Sequence, residues 1–256
     1  MKKIDEQKKK SSLWFKSLRN QICEELEKIE RIHSTTPSKF QRTSWKRDKD
    51  GSQKLGGGEM SLIRGKVFEK AGVNISTVFG ELSDSMLGKI PGTENSKNFW
   101  ASGISVVIHP FSPKIPTIHM NTRFIVTEKS WFGGGADITP TNKKSEKSKK
   151  IAKFFHKNLK IICDKYNPTA YNKYKKWCDE YFYLPHRNEP RGIGGIFFDY
   201  KKNNFEKDFK FVRDLGITFQ IIFQKIINKK IKRRWTVKDK EMQYIKRGRY
   251  TEFNLL

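Results

Sequence analysis

In the stretch "IHMNTRF", side chains two residues apart share one face of a strand. His119, Asn121 and Arg123 therefore form one strip, and Ile118, Met120, Thr122 and Phe124 form the other. An imidazole, a carboxamide and a permanent cation in line suit an anionic ligand. The same pattern also describes the solvated face of a half-buried strand. In "SVVIHP" the rule places Ser105, Val107 and His109 together. The densest run is "LPHRNEPRGIGGIFFDY", where His186, Arg187, Glu189 and Arg191 crowd ahead of three glycines. Phe197 and Asp199 then take one face, with Ile196 and Phe198 on the other. A carboxylate closing an apolar strand is costly to bury alone, so Asp199 needs a ligand, a cap or an ion-pair partner.

Three consecutive glycines in "WFGGGADITP" raise a second question. Ordering them is entropically costly. No G-x-x-x-x-G-K-[ST] or G-x-G-x-x-G pattern is present, so a phosphate loop is excluded. Pro140 and the polar run behind it also argue against a helix start there. A close approach of backbone to ligand and a tight turn remain. The histidines at 109, 119, 156 and 186 are conceivable metal ligands, although their spacing matches no zinc signature.

Positioning these groups requires a sizeable core, which 256 residues supply as one domain, 1–256. Residues 1–11 read as a basic tail. Leu18, Ile22, Leu26, Ile29 and Ile32 set an amphipathic helix over 12–33, and 34–60 reads as a mobile basic loop. Short β-rich runs follow between 61 and 132 and predict neighbouring antiparallel strands. Ile151, Phe154, Phe155, Leu159 and Ile162 predict a helix over 145–165 that carries His156. Asn167 reads as the cap of the next helix, with Pro168 in its first turn and its end before Pro185. "RGIGGIFFDY" reads as a buried strand, Phe205 to Ile226 as a long helix, and "RYTEFNLL" as a closing strand. The result is an α+β domain, a large, mostly antiparallel sheet covered by helices.

Lys and Arg number 53 against 27 Asp and Glu, a net charge of +26, and only 13 of the cations are Arg. That surplus favours anionic partners, namely nucleic acid, an acidic membrane surface or a polycarboxylate, or else is a solvated lysine surface. Nucleic-acid readers favour Arg, so the lysine excess argues against that class. Three cysteines without a C-x-x-C motif point to a reducing compartment. No secretory leader and no apolar run near ~18 residues is visible, so the expectation is a cytoplasmic protein without a transmembrane segment.

Six stretches, in order, carry a resemblance: "GGGEMSLIRGKVFEKAGVNIS", "SGISVVIHP", "HMNTRF", "WFGGGADITP", "YKKWCDEYFYLPHRNEPRGIGGIFFD" and "RGRYTEFNL". Over roughly residues 13–256 the chain resembles the oxygen-dependent coproporphyrinogen III oxidases of haem biosynthesis. The resemblance implies a sheet flanked by helices on both faces, in a homodimer. It implies oxidative decarboxylation of two propionates of coproporphyrinogen III to vinyls, with dioxygen as co-substrate and no organic cofactor. Ser105, Asn121, Thr122, Arg123, Arg187 and Arg191 would bind substrate, His119 would donate a proton, and Asp199 would face the pyrrole N–H groups. His109, His119, His156 and His186 would be the positions of a divalent metal. Arg247 and Arg249 would add to the cations serving the four substrate carboxylates, and Trp131 and Phe132 would pack near the macrocycle. Gly134 would let backbone lie close to it. The family continues beyond "EFNL" with segments that complete the pocket and the dimer contact, and "FFDY" stands where it usually carries two aspartates. A basic nucleic-acid-binding module and a remnant that binds porphyrinogen without turning it over are the competing readings.

Overall fold

The computed structural model describes residues 3–48 and 55–255. Helix α1 (Lys3–His33) opens the chain, followed by strands β1 (Gln41–Lys46), β2 (Gly56–Ile63), β3 (Phe68–Glu81), β4 (Asn98–Pro110), β5 (Thr117–Val126) and β6 (Ser130–Thr139). Helices α2 (Glu146–Tyr166) and α3 (Ala170–Tyr181) come next. A two-residue pair, β7 (Tyr183–Leu184) with β8 (Glu189–Pro190), leads to β9 (Gly195–Lys201), α4 (Phe205–Lys230) and α5 (Val237–Leu255).

Seven strands form one antiparallel sheet in the order β1-β2-β3-β4-β5-β6-β9. Its two faces differ as period-2 alternation dictates. On one face Val73, Val106, Ile108, Ile118, Met120, Phe124, Phe132, Ile138, Ile196 and Phe198 are buried. The stripe Phe15, Leu18, Ile22 and Leu26 of α1 and the stripe Val212, Leu215, Phe219 and Ile222 of α4 pack over this face in the same core. Each such side chain contributes about 1.5–3 kcal/mol by leaving water. Helix α2 packs on α4 and β9, and α3 follows the β9 edge. The other face carries the polar strips, and the last turns of α5 lie over one end of it, with Tyr250 edge-on to His109 at 5.8 Å.

Four sequence expectations are corrected. Residues 3–11 are not a tail but the first turns of α1, because Ile4 and the fully buried Ser11 extend its stripe. The loop expected over 34–60 contains β1 and the start of β2; β1 is exposed along its whole length, so no alternation betrays it. Residues 49–54 of that loop lie outside the described residues. Asn167 caps no helix start. Its Oδ1 accepts from the backbone N and hydroxyl of Thr169, and α3 begins at Ala170. "RYTEFNL" is helical, with its contacts at three-residue spacing, since Tyr250 and Phe253 both reach Arg191.

Candidate active site

Antiparallel register fixes which side chains stand side by side. One row crosses six strands as Trp45, Gly58, Ser76, Gly103, Arg123 and Gly133. A second passes through Asn74, Ser105, Asn121, Gly135 and Phe197. A third holds Gly72, Val107, His119, Asp137 and Gly195. These rows open on the face away from α1 and α4. A hollow of about 490 Å³ lies over Ser105, Asn121 and Arg123 on the β1 side. A second, of about 210 Å³, is lined by His119, Arg191 and Phe197 with Tyr250 and Phe253 of α5. Asn121 and Arg123 border both.

At that border an Arg123 nitrogen donates to Asp199 Oδ2 at 2.5 Å. Trp131 Nε1 donates to Asp199 Oδ1 at 3.1 Å, and the Tyr200 backbone N–H to the same oxygen at 3.0 Å. The Asp199 side chain is 15% exposed and Arg123 30%, so the pair sits at the cavity wall rather than in bulk water. The glycine run now has its explanation. A Cβ on Gly133 would stand 2.3 Å from Asp199 Oδ1 and 3.0 Å from Arg123 Nε. A Cβ on Gly134 would stand 2.4 Å from the Asn121 carbonyl oxygen. The run is neither a turn nor a phosphate cradle. It lies mid-strand, where it makes room for an ion pair and for close contact with β5. The expectation that Gly134 approaches ligand is corrected to an approach of strand to strand.

His119 Nδ1 lies 2.8 Å from Asp137 Oδ1, and Arg191 donates to Asp137 Oδ2 at 2.7 Å. Burial alone would push the Asp137 carboxyl up. The Arg191 guanidinium and His119 outweigh it and hold the carboxyl below its ordinary range. Arg191 is itself 2% exposed, with its guanidinium carbon 3.7 Å from the Phe182 ring centre and 4.7 Å from those of Tyr250 and Phe253. Asp137 therefore carries a ring orientation for His119, and sequence reading missed it. "GGGADITP" gives no face to Asp137 until β6 is paired with β5, which sets it opposite His119.

Other candidates are placed elsewhere. Thr122 is fully buried on the helix-covered face, away from Asn121 and Arg123. Phe132 also faces the helices, stacked on Phe124 at 4.6 Å, whereas buried Trp131 reaches Asp199. Arg187 and His186 border neither hollow; both bind Glu252 of α5, and they hold its carboxyl at about 2. Arg249 joins Glu252 and Glu189, and Arg247 joins Glu69. These cations, expected to serve substrate carboxylates, neutralise carboxylates of the chain and fasten α5.

Comparison with known proteins now decides the family. The coproporphyrinogen III oxidase family model matches residues 10–256. The chain belongs to the coproporphyrinogen III oxidase family. It is 51% identical to the oxygen-dependent coproporphyrinogen-III oxidase of Rickettsia rickettsii (strain Sheila Smith), over 98% of this chain and 88% of the relative. The enzyme of the same name from Rickettsia akari (strain Hartford) is also 51% identical, with the same coverage. That of Rickettsia bellii (strain RML369-C) is 51% identical over 96% of this chain and 87% of the relative.

The oxidase fold does not gather the four histidines into a metal centre. His156 is engaged at both nitrogens, Nε2 at 2.9 Å from the Ile193 carbonyl and Nδ1 at 3.0 Å from the Tyr171 hydroxyl. His109 stands 3.3 Å from the Thr117 hydroxyl, His186 on Glu252 and His119 on Asp137. Among the described residues, no group of three or more His, Cys, Asp or Glu side chains could hold a metal ion. The expectation of a divalent cation on these histidines is not supported by this arrangement. No helix among the described residues is long and apolar enough to cross a membrane.

Proposed function

We propose that this chain oxidatively decarboxylates two propionates of coproporphyrinogen III to vinyls, at the face that carries Arg123, Asp199 and His119. The family supports the reaction. The observation that carries the site assignment is Arg123, which borders both hollows, ion-paired to Asp199 on the same face as His119. Each decarboxylation removes a carboxylate as carbon dioxide, releases one proton and transfers two electrons to dioxygen. Dioxygen takes two protons and leaves as hydrogen peroxide. The porphyrinogen is electron-rich and supplies the electrons.

Arg123 is bound to Asp199. An incoming propionate competes for the guanidinium, through charge-assisted bonds of about 1.5–3 kcal/mol each. Asp199 then turns its freed oxygen to the pyrrole N–H groups. A carboxylate is far too weak a base to ionise a neutral pyrrole. Asp199 therefore acts by stabilising positive charge as the ring is oxidised, taking the proton only afterwards. Trp131 keeps the second oxygen in place meanwhile. His119, oriented by Asp137, supplies a proton toward reduced dioxygen from its free nitrogen. Ser105 and Asn121 bind further substrate oxygens. A homodimer is part of the same reading, and sedimentation velocity measures it.

Anaerobic mixing with coproporphyrinogen III followed by admission of air tests the assignment. Protoporphyrinogen IX and two equivalents of carbon dioxide are expected. Binding without carbon dioxide release would identify a porphyrinogen-binding remnant. Absence of both, with binding of DNA that weakens steeply as salt rises, would favour the nucleic-acid reading.

A further inference from the structure

The row that holds Arg123 reaches β1, four strands away, at Trp45. At about 4.8 Å per strand, the two backbones stand about 19 Å apart. Between them the row presents only Gly58, Ser76 and Gly103. The next row adds Asn74 and Ser105 to the same hollow. The floor is thus small and neutral, and two large side chains close its ends. A Cβ on Gly58 would come within 2.9 Å of Trp45 Cζ2, so the indole lies directly on that bare backbone. Trp45 is 42% exposed although it borders a cavity. Isolated exposed aromatics on an edge strand need no function. This one lines the same hollow as Arg123.

We propose that Trp45 is a specificity-determining residue, a stacking wall for the half of the tetrapyrrole remote from His119. The inference rests on the proposed reaction and adds a second end to its site. His119 and Arg123 belong to the hollow of about 210 Å³, which is less than half the volume of its neighbour. A tetrapyrrole centred on Arg123 extends into the larger hollow. Its methylene-bridged pyrroles are separate electron-rich rings, and one of them stacks on the indole, as aromatic pairs do at offset or edge-on geometry. Asn74, Ser76 and Ser105 offer neutral hydrogen-bonding groups to the polar edge of that half. Trp45 touches no group that reacts, so its contribution falls on binding and not on the chemical step.

The experiment compares wild type, Trp45→Ala and Trp45→Phe, all checked by circular dichroism. Binding of coproporphyrinogen III is measured anaerobically, and the single-turnover rate is measured at saturation after admission of air. Trp45→Ala is expected to raise Kd and KM about tenfold and to leave the saturated rate within twofold. Trp45→Phe is expected to recover most of the affinity. An unchanged Kd in Trp45→Ala, with wild type active, would overturn the stacking wall and leave the proposed reaction standing. A saturated rate that falls in both variants at unchanged Kd would overturn it too. Wild-type protein that neither binds nor turns over substrate removes the reading beneath it.

Discussion

Asp199 and Arg123 neutralise each other across a 2.5 Å contact. Replacing Asp199 by Asn keeps the side chain's size and its bond from Trp131 but removes the charge. The expected result is a folded protein whose kcat falls about 10²–10³-fold, read by rapid-quench analysis of carbon dioxide release. Gly133→Ala reaches the same pair from the other side, since its Cβ would collide with Asp199 Oδ1. It should lower kcat/KM without unfolding the sheet, as thermal melts would show. Asp137→Asn leaves His119 without its carboxylate. A loss of about 10²-fold in kcat is expected, read by the same rapid-quench analysis. Asp199, His119, Asn121 and Arg123 were legible because each lies on a strand whose parity alone assigns a face. Asp137 was not, because parity relates residues of one strand, and its value comes from the neighbour that register places opposite.

Among the elements, β6 is where sequence reading went furthest astray, since the β-rich runs are read only to 132 and the strand continues to Thr139. Its glycines look like a loop but stand mid-strand, with no room for a side chain. Gly134→Val drives a side chain into the Asn121 carbonyl oxygen. It should cost about 3 kcal/mol or more in stability, detected as a lowered Tm or insolubility and not as a raised KM alone. Helix α5 escaped for a different reason. Its buried positions are Lys240 and Gln243, and its attachments are Glu69, Glu189 and Glu252 with Lys240, Lys246, Arg247, Arg249 and Arg187. A helix held by charge has no apolar periodicity to read. Glu252→Gln should speed amide hydrogen exchange over residues 247–255 while β5 exchange stays unchanged. By contrast α2, α4 and the core of α1 were plain in the sequence, since each places a conventional apolar stripe on the sheet.

At the scale of the whole molecule, stability should depend on pH through a histidine outside the chemistry. Burial, with Arg247 and Lys70 nearby, pushes His109 down to about 4. Between the ordinary histidine value of about 6.5 and that value, the unfolded chain takes up a proton that the folded chain refuses. Stability is therefore intact above this window and falls as pH drops through it, by on the order of 2–3 kcal/mol. Urea titrations at several pH values check the slope, and His109→Gln should flatten it. The three cysteines are buried; burial raises every one of their thiols, Cys23 and Cys163 to about 12, so oxidants should leave the protein intact. The two-sidedness of the sheet has one more consequence. On β4 and β5 the even-numbered positions from Ser102 to Ile108 and from Ile118 to Val126 are buried, and the odd-numbered ones are half-open. A library of all single substitutions, scored separately for abundance and for porphyrin production, should alternate like the teeth of two interleaved combs. Even numbers would deplete the soluble protein, and odd numbers would leave it plentiful but idle.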